Sequence, residues 1–117
     1  MSTDLLVWLI IGHMVGDFLF QTRWMAENKG TQWDALLIHC FLYTIIIAVF
    51  ALPAGGLTWW SLLIIFVAHT VLDRRGFTRW WLKNVNKSAD MFWLLIVHDQ
   101  AWHLLALTIA VLLQSLL

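Results

Sequence analysis

Four stretches of the chain are almost wholly apolar, and polar or turn-forming residues separate them. They run from about Leu5 to Gln21, Ala35 to Leu52, Leu57 to Leu72 and Met91 to Leu116. A hydrocarbon layer of about 30 Å takes roughly 20 helical residues to cross. The pattern therefore predicts an all-α fold, a membrane four-helix bundle with helices at about 4–22, 34–52, 57–74 and 90–116. These form one transmembrane domain over residues 1–117. The first and third helices are marginal in length and recruit flanking residues such as Asp4, Trp59 and Trp60. Pro53, Gly55 and Gly56 turn the chain between the second and third helices without a charge. The segment at about 75–88 sets Phe77, Trp80, Trp81 and Val85 against Arg79, Lys83 and Lys87. Aromatic and basic residues together favour the headgroup layer, so a short amphipathic helix on the membrane surface is expected there.

Composition supports the membrane class. Hydrophobic residues make up 62% of the chain and charged ones 12%, with nine Trp, more apolar surface than a soluble domain this small can bury. The first helix does not read as a signal peptide, because no basic residue precedes it and it carries His13 and Asp17. Cys40 is the lone cysteine and reads as a small hydrophobe. The formal net charge of zero conceals an asymmetry: all 7 Lys and Arg residues lie in two gaps, 22–34 and 74–90. With four crossings both gaps face one side, and the positive-inside rule makes that side the cytoplasm and places both termini outside. No nucleic-acid partner is expected.

The two halves repeat. His13, Val15, Asp17, Thr22, Arg23 and Trp24 recur as His69, Val71, Asp73, Thr78, Arg79 and Trp80, each 56 positions later. Asn28 with Asn84 and Asp34 with Asp90 keep the same offset. The bundle is thus expected to consist of two repeated helical hairpins related by an axis along the membrane normal.

All five histidines fall inside apolar runs, beside Asp17, Asp73 and Asp99. A carboxylate at the bilayer centre costs about 2.5–3.5 kcal/mol on insertion scales, so three of them need a reason. His13 and Asp17, His69 and Asp73, and Asp99 and His103 are each four residues apart, on one helix face. Gln21 extends the first face, and His39 with Tyr43 forms a similar one on the second helix. The order is His then Asp where the helix runs toward the cytoplasm, and Asp then His where it runs away. All three pairs therefore place Asp nearer the cytoplasm, and the stripes are expected to meet in one site. His98 lies about 100° from Asp99 around the helix and is assigned to packing.

Imidazole and carboxylate groups in these numbers form a metal-ligand set. His13, Asp17, His39, His69, Asp73, Asp99 and His103 are the expected ligands of one or two divalent ions, zinc, manganese or iron. Two ions bridged by a carboxylate would use so many ligands best, and such a pair activates water and clamps a phosphoryl group.

The same residues resemble a family. His13, Asp17, Gln21, Lys29, His39, Tyr43, His69, Asp73, Asp99, Gln100 and His103 are similar, in type and spacing, to domain of unknown function 3307. Its members are small bacterial and phage polytopic membrane proteins. The resemblance implies a multi-pass protein of the bacterial inner (plasma) membrane and no established reaction. His-x3-Asp within membrane helices is also similar to inner-membrane metal-dependent hydrolases, which are far longer.

Three functions fit these residues. The first is a metal-dependent hydrolase of a lipid-linked phosphate or ester, acting at the cytoplasmic leaflet. In it Asp17, Asp73 and Asp99 are the catalytic carboxylates. Lys29, Arg74 and Arg75 steer an anionic headgroup, with Tyr43, Gln21 and Gln100 around the bound group. The second is an ion or proton pathway in a homo-oligomer, since four short helices enclose little volume. The third is a bis-His haem protein for electron transfer, using pairs among His13, His39, His69 and His103.

Overall fold

Apolar side chains with helical spacing fold here into six α-helices, and no strand occurs among the described residues, 3–117 of a computed structural model. Helix α1 spans Thr3–Met14, α2 Arg23–Asn28, α3 Trp33–Ala51, α4 Trp59–Asp73, α5 Gly76–Asn84 and α6 Phe92–Leu116. The four longer helices close a ring in which α1 packs on α3, α3 on α4, α4 on α6 and α6 on α1. Two of them are long and apolar enough to cross a membrane: Trp33–Ala54, 22 residues with mean hydropathy 2.5, and Phe92–Leu116, 25 residues with mean hydropathy 1.5. Helix α4, with 15 residues, is shorter.

The first helix differs from its expected course at 4–22. After Met14 it widens into a π-helical turn, Val15–Leu19, closed by the Phe20 N–H donating to the Val15 carbonyl at 3.0 Å. The turn lies where α1 and α3 come closest. A Cβ on Gly16 would stand 2.9 Å from Tyr43 Cδ2, and one on Gly12 would stand 3.0 Å from Phe50 Cβ. Small residues at such crossings let helix backbones approach. Single π turns of this kind occur mostly at functional sites, and this one carries Asp17, buried at the helix crossing.

The first polar gap is not an open loop. Thr22 caps α2 by accepting a hydrogen bond from the Met25 N–H at 3.2 Å, and Met25 is buried. Six residues are too few for a hydrophobic period to register, so the cap is the only local signal. The consequence is large, because α2 packs on α3 and buries the next residue, Lys29. Asn28 Nδ2 donates to the Trp24 carbonyl at 2.9 Å, and Asn84 Nδ2 makes the same bond to Trp80, also at 2.9 Å.

The second turn follows the expected chemistry. Leu52–Ala54 forms a 3-10 turn, and Gly55 and Gly56 reverse the chain at φ 104° and 83°. The Thr58 hydroxyl then caps α4, accepting from the Ser61 N–H at 3.3 Å. Helix α5 is shorter than the expected segment at 75–88. It is held to α6 by Trp102, whose ring meets Phe77 at 4.9 Å and Trp81 at 5.2 Å between centroids.

The interior has two ends of opposite character. At one, Leu5, Leu9, Ile47, Ala51, Ile65, Leu107, Ala110 and Val111 form an apolar core. At the other, buried His and Asp residues gather, with Lys29 and Thr78 also buried. The outer faces of the long helices are apolar instead: Phe41, Val49, Val67, Val71, Val97 and Ile109 are among the exposed residues. Polar groups are thus buried at one end of the bundle while large apolar side chains stay on its outer faces.

Candidate metal centre

Each long helix delivers its polar residues to the same end of the ring. The C-terminal part of α1 with its π turn brings His13 and Asp17, and α3 brings His39 and Tyr43. Helix α4 ends on His69 and Asp73, and α6 brings Asp99, Gln100 and His103. Asp17, His39, His69, Asp73, Asp99 and His103 are all at most 3% exposed.

The cluster resolves into two ligand groups that share one residue. Asp17, His39, His69 and Asp73 present ligand atoms within 4.8 Å of one another, and so do Asp73, Asp99 and His103. In the first group, nitrogen and oxygen alternate around a small ring. His39 Nε2 is 3.0 Å from Asp17 Oδ1 and 3.1 Å from Asp73 Oδ2, while His69 Nε2 is 3.4 and 3.0 Å from the same two oxygens. A tetrahedral ion with ligands at about 2.0–2.1 Å separates those ligands by about 3.3 Å. The observed edges match that spacing. In the second group Asp73 uses its other oxygen, with His103 Nε2 at 2.9 Å from Asp73 Oδ1.

Most of these contacts are short without being hydrogen bonds. Lys29 pairs with Asp73 by charge, but neither oxygen of Asp73 makes a hydrogen bond of good geometry, nor does His69 Nε2 or His103 Nε2. Buried polar atoms left in that state are costly unless something else satisfies them. His103 shows how a metal ion would do so. Its Nδ1–H donates to the Asp99 carbonyl at 2.6 Å, which in the neutral ring turns the Nε2 lone pair toward Asp73. A lone pair facing a carboxylate at 2.9 Å repels it, whereas a cation between them binds both. A backbone carbonyl holding the far ring nitrogen is the usual support of a metal-bound imidazole. These buried His and Asp groups can therefore hold a metal ion.

His13 has different partners from the other clustered histidines. Its Nε2 lies 2.7 Å from Gln100 Oε1, which only accepts, so Nε2 carries the proton. Nδ1 is then free to accept from the Tyr43 hydroxyl at 2.8 Å. With both nitrogens engaged, His13 links α3 to α6 behind the ligand groups, and it stands 3.7 Å from Asp17 Oδ2. Gln21 Nε2 donates to the Asp17 carbonyl at 3.0 Å and so fixes the end of the π turn. His98 is only half-buried and lies outside both ligand groups.

The basic residues come closer to the cluster than an open polar loop would bring them. Lys29 Nζ is 3.2 Å from Asp73 Oδ2, and its side chain is 8% exposed. Arg75 Nη2 is 3.7 Å from Asp99 Oδ2. Arg74 stacks instead on Trp33, its guanidinium carbon 4.4 Å from the ring centroid. Lys29 faces the oxygen that His39 and His69 also face, so it competes with an ion in the first group for that oxygen. Sequence spacing carries no signal for this contact, since it depends on α2 folding back against α3.

The fold and the site define an all-helical protein with an apolar exterior and a buried cluster of His and Asp suited to metal. The chain belongs to the DUF3307 family of proteins of unknown function, whose profile matches residues 5–117. Neither the curated proteins nor the solved structures contain a match to it.

Proposed function

We propose that this chain is a membrane-embedded dinuclear metal protein that hydrolyses a lipid-linked phosphate or ester at the cytoplasmic leaflet. The observation that carries the reading is Asp73, whose two oxygens face two different ligand groups, as a bridging carboxylate must. Two adjacent ions lower the pKa of bound water and hold a reacting phosphoryl or acyl oxygen. The donor set of imidazole and carboxylate suits zinc, manganese or iron.

The apolar outer faces support the membrane setting, as do two helices of spanning length. In that setting α1 with its π turn and α4 make the other two crossings, flanked by Trp and polar residues. The 7 Lys and Arg residues, all in the gaps at the metal-bearing end, support a cytoplasmic position for that end with both termini outside. The 56-residue offset and the paired Asn28 and Asn84 bonds favour two copies of one hairpin unit. A bis-His haem is disfavoured by the packing of the rings. His39 and His69 lie 4.9 Å apart between centroids and His69 and His103 4.8 Å, which leaves no plane for a porphyrin.

The test is metal content. Protein purified in detergent without chelator is expected to carry one to two transition-metal ions per chain, measured by mass spectrometry of the metals. His103→Ala is expected to lower the number without abolishing binding, because the first group stays whole. Protein that carries no metal and gains no thermal stability from added zinc, manganese or iron would overturn the reading.

A further inference from the structure

A pocket of about 260 Å³ opens at the metal-bearing end, between the α2–α3 connection and the α4–α5 junction. Lys29, Arg74, Arg75 and Arg79 line it, and Asp73 forms part of its wall. Glu27 is the other acidic residue there, and its carboxylate pairs with Arg23 at 2.7 Å. The pocket is therefore strongly cationic. Asp73 is already shared among Lys29, His39, His69 and His103.

Two features show that the basic residues are set for a ligand. Arg74 Nη1 and Arg75 Nε are buried and have no hydrogen-bond partner. Buried arginine donors normally have a partner, and a bound anion is one that fits them. Arg75 also holds a left-handed backbone, φ 61° and ψ 6°, directly after Arg74 at the α4–α5 junction. A non-glycine residue in that region is strained, and such strain collects at ligand clamps.

We propose that this pocket seats the phosphate group of a phosphate-ester substrate and presents its phosphorus to the metal-bearing cluster. The inference rests on the hydrolase reading and narrows it from phosphate or ester to phosphate. Connection to the cluster is direct. Lys29 bridges pocket and first ligand group through Asp73, and Arg75 leans on Asp99 of the second. Charge agrees as well. Asp17, Asp73 and Asp99 carry three negative charges, nearly balanced by Lys29 and Arg75 alone. Two dications and the remaining arginines leave an excess of positive charge that a phosphate dianion offsets. Size agrees too, since a pocket of about 260 Å³ has room for a phosphate group. An acyl chain on the same substrate would lie along the apolar outer face. In the reaction the oxygen of water bonds to phosphorus, the ester P–O bond breaks, and the departing alcohol oxygen takes a proton from that water.

Inorganic phosphate is the first probe, titrated by calorimetry into the full chain in detergent, with metal content measured on the same samples. Phosphate is expected to bind, and Arg74→Gln and Arg79→Gln are each expected to weaken it about tenfold or more. Both variants should keep their metal, and Lys83→Gln, outside the pocket, should bind phosphate as the parent does. Metal-loaded protein that ignores phosphate, or variants that bind it undiminished, would overturn the phosphate seat and leave the metal reading standing. Phosphate bound by protein that takes up no metal would do the reverse. Release of phosphate from phosphatidic acid in phosphatidylcholine vesicles, compared with glycerol phosphate in solution, tells a lipid substrate from a soluble one. Turnover of either supports the seat, and turnover of neither by metal-loaded protein counts against it.

Discussion

Replacing Asp73 with Asn keeps the side-chain volume and removes one charge at the point where two ligand groups and a lysine meet. Two effects should follow, and they can be separated. The first is electrostatic. Lys29 Nζ lies 3.2 Å from Asp73 Oδ2, with the two side chains 8% and 0% exposed, so the substitution orphans a buried cation. Removing one partner of a buried pair costs about 3–5 kcal/mol. The second is metal linkage. An ion held at 100 times its dissociation constant stabilises by about 2.7 kcal/mol per site, and both sites lose a ligand together. Reversible denaturation in detergent, with and without added metal, measures the sum. The double variant Lys29→Met, Asp73→Asn divides it. With no orphaned charge, its metal-free stability should return to near the parent value while its metal content stays low. Lys29→Met alone should keep its metal, because only a competitor for Asp73 Oδ2 has been removed. Metal content in Asp73→Asn equal to the parent's would refute the bridging role of this carboxylate.

Four further outcomes follow from the geometry. Gly16→Ala should destabilise by about 1–3 kcal/mol in the same denaturation assay, since its Cβ would stand 2.9 Å from Tyr43 Cδ2. Tyr43→Phe removes the hydroxyl that His13 Nδ1 accepts from at 2.8 Å and should cost about 0.5–1.5 kcal/mol. Metal content should survive it; a stoichiometric loss of metal would make His13 a ligand rather than a support. Trp102→Ala should free α5, whose Phe77 and Trp81 rest on that ring, and limited proteolysis should then cut sooner at Lys83 and Lys87 with metal retained. A Cys placed at Lys83 in a Cys40→Ala background should react with an impermeant thiol reagent only when the cytoplasmic side is opened. Labelling from outside intact cells would invert the topology.

The cluster was legible in the sequence because helical geometry converts spacing into direction. His-x3-Asp on two helices and Asp-x3-His on a third, running opposite ways, can meet at one depth only if the helices are antiparallel neighbours, and the ring of α1, α3, α4 and α6 makes them so. What spacing could not supply was the fine structure that gives those residues different tasks. The π turn at Val15–Leu19 departs from the 3.6-residue period on which the argument from i and i+4 rests, and Gly16 reveals its reason only when Tyr43 is seen against it. The hydrogen bonds of His13 to Tyr43 and Gln100 join residues 30 and 87 positions away, so no local pattern separates this histidine from His69. Lys29 is the sharpest case. In sequence it reads as a loop cation that orients the protein and steers an anionic headgroup, yet the single turn and a half of α2, started by the Thr22 cap, carries it to 3.2 Å from Asp73. Lys29 thereby becomes the link between the cationic pocket and the shared carboxylate. That link adds Lys29→Met to Arg74→Gln and Arg79→Gln as a variant that should weaken phosphate binding while sparing the metal, which no ligand substitution should do.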